Sequence, residues 1–458
     1  MIAMTMLATQ LETIMPTAIS GCVVRTEGCV TAVAGLPAPV GSQVLIDREL
    51  KGPIVGEVIG FRDHLTLVYP LEEMHGVRYG NRVRLWRTSK FVGVGQDLLG
   101  RVIDAHGNAA DGLSNPLTTD RRSLDQVPPS AHERPRINAP LSTGIRAIDG
   151  LLTCDRVSRV GIFSGSGVGG SVSLGSGPGY ASADVNVLAL VGERGREVNE
   201  FIERDLGPEG LARSVVVVAT SDQPALLRVR AAMLATAIAE YFRDEHQEVL
   251  LMMDSLTRFA MALREIGLAA GEPPTTRGYP PSVFATLPKL VERAGRNARG
   301  SITAFYSVLV EGDDTNEPVS DAVRGLLDGH IVLSRKLASA GHYPAIDVLE
   351  SISRLATEVC DQDQLAAAIE VRQLLAAYRD HADLISIGAY RTGSNAAVDA
   401  AIALKNDTDK FLRQTMNEAA NYETTRMALN TLAKHAVTFK RTAQATRLNT
   451  QQAKKPPS

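Results

Sequence analysis

The chain has 458 residues, with 48 Lys and Arg against 51 Asp and Glu, for a formal net charge of -3. Hydrophobic residues make up 44% and charged residues 22%, which excludes a disordered or collagen-like chain. The near-neutral balance offers no basic surface, so no nucleic-acid partner is expected.

Residues 1–20 carry Glu12 and no Lys or Arg, whereas a secretory signal begins with a basic stretch. No run of about 18 apolar residues offers a transmembrane helix. A cytoplasmic protein is expected. Met6, Leu7, Leu11 and Ile14 recur at near-helical spacing, which a short helix and a frayed terminus fit equally. Cys22, Cys29, Cys154 and Cys360 form no CxxC pair and no disulfide framework, so buried free thiols are expected.

Short β-branched runs at 22–24, 43–47, 54–59, 65–68 and 82–86 predict a small barrel or sandwich over residues 21–95. Residues 96–140 are rich in Asp, Asn, Gly and Pro and predict an irregular connection, with a turn at 104–107. From residue 141, apolar runs at 157–163, 185–191, 215–220, 249–253, 302–310 and 330–333 alternate with amphipathic stretches such as 198–205 and 226–242. That alternation predicts a mostly parallel sheet covered on both faces. From residue 356 helices are expected over 364–378, 395–404 and 409–429. The stretch from Lys434 holds six basic residues and no acid. A solvated, partly frayed tail and a contact with an acidic partner both fit it.

The run at 157–163 leads into Ser164-Gly-Ser-Gly-Val-Gly-Gly-Ser-Val172. A phosphate-binding loop needs a strand, a glycine-rich turn and a helix N-terminus, so that backbone N–H groups meet the phosphates. Gly165, Gly167, Val168, Gly169, Gly170, Ser171 and Val172 are the candidate cradle for ATP, with the Ser171 hydroxyl placed for Mg2+. The position before Ser171 should be the Lys that contacts the terminal phosphates, and it is Gly170. On the motif alone, a plain glycine-rich loop fits better. Beyond it, Gly175, Gly177 and Gly179 each cost a helix about 1 kcal/mol and Pro178 about 3 kcal/mol.

Glu193 stands just past the run 185–191, and Asp254 closes the run 249–253. Ligands of an open parallel sheet gather at the C-terminal ends of its strands. Glu193 there suits a base that orients a water, with a salt-bridged turn beside Arg194 and Arg196 as the plain alternative. Asp254 has the placement of a carboxylate that holds Mg2+ through water. A ring such as Tyr343 can stack on adenine and a guanidinium such as Arg354 can stabilise charge on a transferring phosphoryl group, but spacing alone assigns neither role. His330, beside a strand, is expected to be structural, and no protein metal site beyond nucleotide-bound Mg2+ is expected.

These motifs carry a resemblance. Arg134-Pro-Arg-Ile137, Pro140-Leu-Ser-Thr-Gly-Ile-Arg-Ala-Ile-Asp-Gly150, Gly192-Glu-Arg-Gly-Arg-Glu-Val-Asn-Glu-Phe201, Asp254-Ser-Leu-Thr-Arg-Phe-Ala260, Gly271-Glu-Pro-Pro-Thr-Thr-Arg-Gly-Tyr-Pro-Pro-Ser-Val-Phe284 and the stretch from Pro344 to Arg354 are its basis. Through them the chain resembles the flagellar and type III protein-export ATPases, relatives of the catalytic subunits of rotary ATP synthases, over residues 20–430. Gly195 resembles the export branch, and the stretch 93–103 the flagellar side of it, with an injectisome ATPase as the alternative.

The resemblance implies an α/β fold with an N-terminal β-barrel, a RecA-like P-loop core and a C-terminal helical domain. The implied divisions are a segment 1–20, a barrel 21–95, a connector 96–140, a core 141–355 and a helical domain with basic tail 356–458. It implies a cytoplasmic homo-hexamer, peripheral at the export apparatus on the inner membrane, that couples ATP hydrolysis to substrate–chaperone unloading and protein transport. It implies that Glu193 polarises the attacking water, Arg194 joins the nucleotide site and Asp254 supports Mg2+. Tyr343 would pack on adenine, and Arg354 would reach the neighbouring subunit's nucleotide. The implied partners are a negative regulator at the N-terminal segment, a stalk protein, export-gate membrane proteins, and export substrates with their chaperones.

The resemblance breaks in one window. The family's Gly-Lys-Ser/Thr-Thr is Gly169-Gly170-Ser171-Val172 here, and its apolar helix is the stretch from Gly175 to Gly179. Losing one preorganised charge on a transferring phosphate costs about 3 kcal/mol, or about a hundredfold in rate. Reduced turnover is therefore expected, with a non-catalytic ring subunit or scaffold as the alternative. A recent lesion, an engineered change and a sequence error fit this window alike. Glu193 and Arg354, which a long-established pseudoenzyme would have eroded, are kept.

Overall fold

The computed structural model describes residues 19–49, 52–88, 90–129, 139–165, 183–310, 317–415 and 418–453. They fall into two compact units, Met1–Ser130 with Val185–Ala294, and Ala131–Asp184 with Gly295–Ser458.

In the first unit six strands close a barrel: β1 (Ser20–Glu27), β2 (Val30–Ala34), β3 (Gln43–Ile46), β4 (Ile54–Arg62), β5 (Leu65–Pro70) and β6 (Arg82–Arg87). Their neighbour order is β1-β2-β5-β4-β3-β6, and every pairing is antiparallel. Closure resolves the choice between barrel and sandwich and leaves no open strand edge. Alternate side chains point inward, and Val23, Val33, Val44, Ile46, Val58 and Val83 fill the interior. Cys22 takes the outward phase of β1 beside inward Val23, and Cys29 is exposed too. Of the four expected buried thiols, Cys154 alone is fully buried, and Cys360 is half-buried.

The stretch expected to be irregular carries regular pieces. β7 (Phe91–Val94) forms an antiparallel ribbon with a strand beyond β8 (Arg101–Asp104), namely β9 (Asp120–Ser123). The turn expected at 104–107 is present, with the Gly107 N–H donating to the Asp104 carbonyl at 3.0 Å.

The remaining strands are β10 (Arg159–Gly165), β11 (Val185–Val191), β12 (Ser214–Ala219), β13 (Glu248–Asp254), β14 (Gly295–Arg296), β15 (Ser301–Val310), β16 (Gly329–Leu333) and β17 (Ile346–Ser353). The six expected apolar runs are β10 to β13, β15 and β16. In the first unit β8, β12, β11 and β13 form a parallel run in that order. The buried pair Val102 and Ile103 is why β8 joins it. In the second unit β10 lies parallel between β15 and β16, and β17 is antiparallel to β16. The strands are apolar nearly throughout, as doubly covered strands must be. The helix Ala225–Asp244 packs on β11, β12 and β13, and the helix Leu256–Ala270 packs on it in turn.

That second helix also meets the barrel. Tyr69 of β5 donates its hydroxyl to Glu265 Oε1 at 3.0 Å, and Arg228 gives Nη2 to Glu265 Oε2 at 2.8 Å. The helix ends at Gly271, left-handed at φ 89, where an added Cβ would overlap the Arg62 guanidinium of β4.

In the second unit the helices Gln362–Ser386, Ala396–Ala403 and Tyr422–Ala453 bundle around Leu374, Ala400, Ala401 and Ala436. The helix expected over 409–429 is broken. Lys405–Leu412 ends at an extended Arg413, and the next helix begins at Tyr422. Gln414 lies between them, bonded to Tyr343 and Gly144 as well as to the Glu418 carbonyl of its own loop. The basic stretch is helical as far as Ala453, and Lys440 pairs with Glu370 of the same chain. The pattern at Met6 to Ile14 lies outside the described residues. Among the described residues, no helix is long and apolar enough to cross a membrane.

Candidate functional site

β10 ends at Gly165, buried and in register with Val310 of β15. Gly167, Val168, Gly169, Gly170, Ser171 and Val172 lie outside the described residues, as do Gly175, Gly177, Pro178 and Gly179.

The first unit holds two of the expected carboxylates at one end of its parallel run. Asp254 is the last residue of β13 and is 8% exposed. It is in register with Leu190 of the neighbouring β11, and Glu193 follows that strand after one glycine. Gly192 turns the chain at φ 73, and an added Cβ would lie 2.9 Å from Cδ of Arg258. Only glycine combines that dihedral with so close a side chain. The turn is stitched to β12 and the loop after it, the Gly192 N–H donating to the Ala219 carbonyl at 2.6 Å and the Ser221 N–H to the Glu193 carbonyl at 3.0 Å.

Arg258 comes from the first turn of the helix Leu256–Ala270. Ser255 caps that helix by accepting the Arg258 N–H at 3.3 Å. Arg258 Nε lies 3.1 Å from Glu193 Oε1, and its Nη1 donates to the Gly192 carbonyl. Burial pushes the Glu193 carboxyl up to about 8, and the Asp254 charge and a hydrogen bond with Glu197 push the same way, while Arg258 opposes them. Among the described residues the Glu193 and Asp254 carboxylates lie together with the Arg258 guanidinium, a donor set that fits a divalent cation carried by a phosphate chain. Arg194 is exposed and occupies the N-cap position of the short helix Gly195–Glu200.

The second unit holds Tyr343 and Arg354 at opposite ends of β17. Tyr343 is 53% exposed, and its carbonyl accepts the Gln414 N–H at 2.8 Å. Arg354 is exposed; its N–H donates to the Asp328 carbonyl at 2.9 Å and its Nη2 to the Arg324 carbonyl at 3.2 Å. The Asp328 carboxylate grips the Arg159 guanidinium at 3.1 and 3.0 Å, at the start of β10. His330 is structural, as expected: it is buried, its Nε2 lies 3.2 Å from the Glu350 carbonyl, and its ring meets Phe163 edge-on. Burial and the Arg324 charge lower its pKa.

Arg258 and Gly192 carried no assigned role in the sequence. The signal for Arg258 was its place four residues after Asp254, one helical turn into the next element. The signal for Gly192 was a glycine directly after an apolar strand.

The family model for the nucleotide-binding domain of the ATP synthase alpha/beta family matches residues 144–353, and that for the T3SS EscN ATPase C-terminal domain matches residues 360–431. The flagellum-specific ATP synthase of Bacillus subtilis (strain 168) is 51% identical over 414 residues, covering 90% of this chain and 94% of that protein. The structure of the assembled ATPase EscN from the enteropathogenic E. coli type III secretion system superposes with a TM-score of 0.85 at 43% identity, covering 90% of this chain and 100% of that one. EscN in complex with its central stalk EscO gives a TM-score of 0.82 at 42% identity, covering 90% of this chain and 100% of that chain. Barrel, parallel core and C-terminal helices are thus shared with solved relatives along nine-tenths of the sequence, and the chain belongs to the ATP synthase alpha/beta family, among the flagellum-specific and type III secretion ATPases.

Proposed function

We propose that this chain is the ATPase subunit that energises flagellar protein export, coupling ATP hydrolysis to substrate–chaperone unloading and protein transport. The observation that carries this reading is the Glu193–Arg258 pair beside Asp254, in a chain half identical to a flagellum-specific ATP synthase. Glu193 orients the attacking water and takes its proton, and burial beside the Asp254 charge raises the affinity of its carboxyl for that proton. Arg258 fixes Glu193 and the backbone under it. Asp254 and Ser171 would hold Mg2+, which supplies positive charge to the phosphates. Gly165, Gly167, Val168, Gly169, Gly170 and Val172 wrap the phosphate chain of ATP, Arg194 flanks it, and Tyr343 packs on adenine. Arg354, exposed at the end of β17, reaches the nucleotide of the next subunit in a homo-hexamer.

The same reading takes residues 1–20 as the docking segment for a negative regulator, 21–95 as the barrel, 96–140 as the connector, 141–355 as the core and 356–458 as the helical domain. It takes a stalk protein, export-gate membrane proteins and chaperoned substrates as partners, with the ring peripheral at the inner membrane. The existence of a stalk complex in the EscN relative supports the stalk assignment. The test is ATP hydrolysis by this chain beside Gly170→Lys, alone and with a regular apolar helix in place of residues 175–179. No activity in the repaired chain overturns the catalytic reading.

Gly170 and Pro178 favour a second reading, a non-catalytic ring subunit or scaffold. It predicts no ATP binding with partner binding retained, and tight Mg-ATP binding in calorimetry excludes it.

A further inference from the structure

We propose that Gln414 is a positioning residue that fixes Tyr343 for packing against the nucleotide base; this rests on the reading of Tyr343 as the base-packing residue. Gln414 interrupts the C-terminal helices and is 8% exposed. Its N–H holds the Tyr343 carbonyl at 2.8 Å. Its Oε1 accepts the Arg146 N–H at 2.9 Å, and its Nε2 donates to the carbonyls of Gly144 and Glu418, each at 2.6 Å. Both amide hydrogens and the oxygen are engaged, so the carboxamide has one orientation.

The neighbouring residue repeats the arrangement. The Arg413 carbonyl accepts from the Arg146 guanidinium, and Arg413 Nε faces His342 Nδ1 at 3.5 Å. Arg413 and Gln414 therefore lie along His342 and Tyr343, and both are tied to the 144–146 segment. That segment is itself rigid: the Thr143 and Gly144 N–H groups donate to the buried Asp149 carboxylate at 2.8 and 3.1 Å, and Arg146 Nε donates to the Phe411 carbonyl at 2.9 Å.

Tyr343 itself is 53% exposed, and no ring pair among the described residues includes it. An exposed aromatic residue on a pinned backbone is a platform whose main chain needs no reordering when a ligand arrives. Gln364 provides the contrast. It is 1% exposed and bonded to the Asp149 carbonyl, Thr153 Oγ1 and the Tyr422 hydroxyl, none of them in the Tyr343 turn.

The test uses the full chain and two measurements. Hydrogen–deuterium exchange is followed at residues 342–345 in Gln414→Met, which keeps the volume, and in Gln364→Met as the control. Affinities for ATP and for inorganic tripolyphosphate are measured for the same variants in the Gly170→Lys background. Gln414→Met is expected to speed exchange at 342–345 and weaken ATP about tenfold, while tripolyphosphate changes less than about twofold. Gln364→Met is expected to leave the ratio of the two affinities unchanged. Unchanged exchange, or equal weakening of both ligands, overturns the inference. Tyr343→Ala separates the two failures. If it weakens ATP and Gln414→Met does not, the inference alone fails. If it leaves ATP affinity intact, or if the chain carrying Gly170→Lys and a regular apolar helix in place of residues 175–179 binds no ATP, the reading of Tyr343 fails and the inference with it. Gln414→Glu keeps the acceptor for Arg146 and sets an oxygen against two carbonyls; it takes the place of the Met variant should that not fold.

Discussion

Arg258 is joined to Glu193 twice, side chain to side chain at 3.1 Å and again through the Gly192 carbonyl beneath it. One guanidinium therefore sets both a carboxylate and the turn that presents it. Arg258→Ala is expected to lower kcat about a hundredfold in the Gly170→Lys background, with KM for ATP changing much less. Arg258→Lys should recover part of the loss, because a point charge replaces the fork. Steady-state kinetics decide it, and an unchanged kcat removes Arg258 from the site.

Gly192→Ala should act on the same pair from the other side. The added methyl meets Arg258 Cδ at 2.9 Å, on a backbone at φ 73. A stability loss of about 1–2 kcal/mol in urea unfolding is expected, with a fall in kcat toward that of Arg258→Ala. Full activity with lost stability would mean the turn is merely structural.

Gly170→Lys tests the weakest position in the chain. Restoring one charge at the terminal phosphate should raise ATP hydrolysis about a hundredfold. Replacing Pro178 by Ala in that background should tighten nucleotide binding further, since Pro costs a helix interior about 3 kcal/mol. Phosphate release assays on the single and double variants check both steps.

Asp149 gives a pH dependence of stability. Burial raises its carboxyl from 3.8 to about 6 in the folded chain, despite hydrogen bonds from Thr143 and Gly144 that favour the charge. The folded state holds this proton more tightly than the unfolded state. The contribution is therefore complete below about pH 4 and is lost as pH rises through about 6, with a slope of at most about 1.4 kcal/mol per pH unit. Asp149→Asn has no such proton. The stability difference between parent and variant should shift in the variant's favour by up to about 3 kcal/mol between pH 4 and 7. Urea titrations across that range read the shift, and a flat difference refutes it.

Two ion pairs should differ sharply in cost. Arg293 and Glu240 are 2% and 5% exposed and bonded twice, at 2.8 and 2.7 Å, and Arg293 also reaches the Leu124 carbonyl at 2.8 Å. Glu240→Ala strands a buried guanidinium and should cost about 3–5 kcal/mol. Arg379 and Glu350 pair at 2.9 Å with side chains 51% and 59% exposed, and Glu350→Ala should cost less than about 1 kcal/mol. Thermal unfolding of the two variants ranks them.

The strands were legible because burial on both faces demands unbroken apolar runs. Residues 185–191 were expected to be a strand to the residue. Closure of the barrel was legible only through the family resemblance, since alternation within each strand says nothing about which strands pair. The helix expected over 409–429 failed because Gln414 gives its hydrogen bonds to Tyr343 and Gly144, and tertiary bonds of that kind leave no helical period. Asp254 and Glu193 were legible as strand-end carboxylates, whereas the tie between Arg258 and Glu193 spans 65 positions and exists only once β11 and β13 lie side by side.

The helix Leu256–Ala270 carries one further consequence. Glu265, gripped by the Tyr69 hydroxyl, is seven positions from Arg258 on the same helix, roughly 10 Å along its axis. Arg62 bears on the far end of that helix at Gly271. The helix is a strut between the barrel wall and the guanidinium that aims Glu193. The residue that holds the barrel and the residue that pairs with Glu193 thus belong to one uninterrupted helix, with no loop between them.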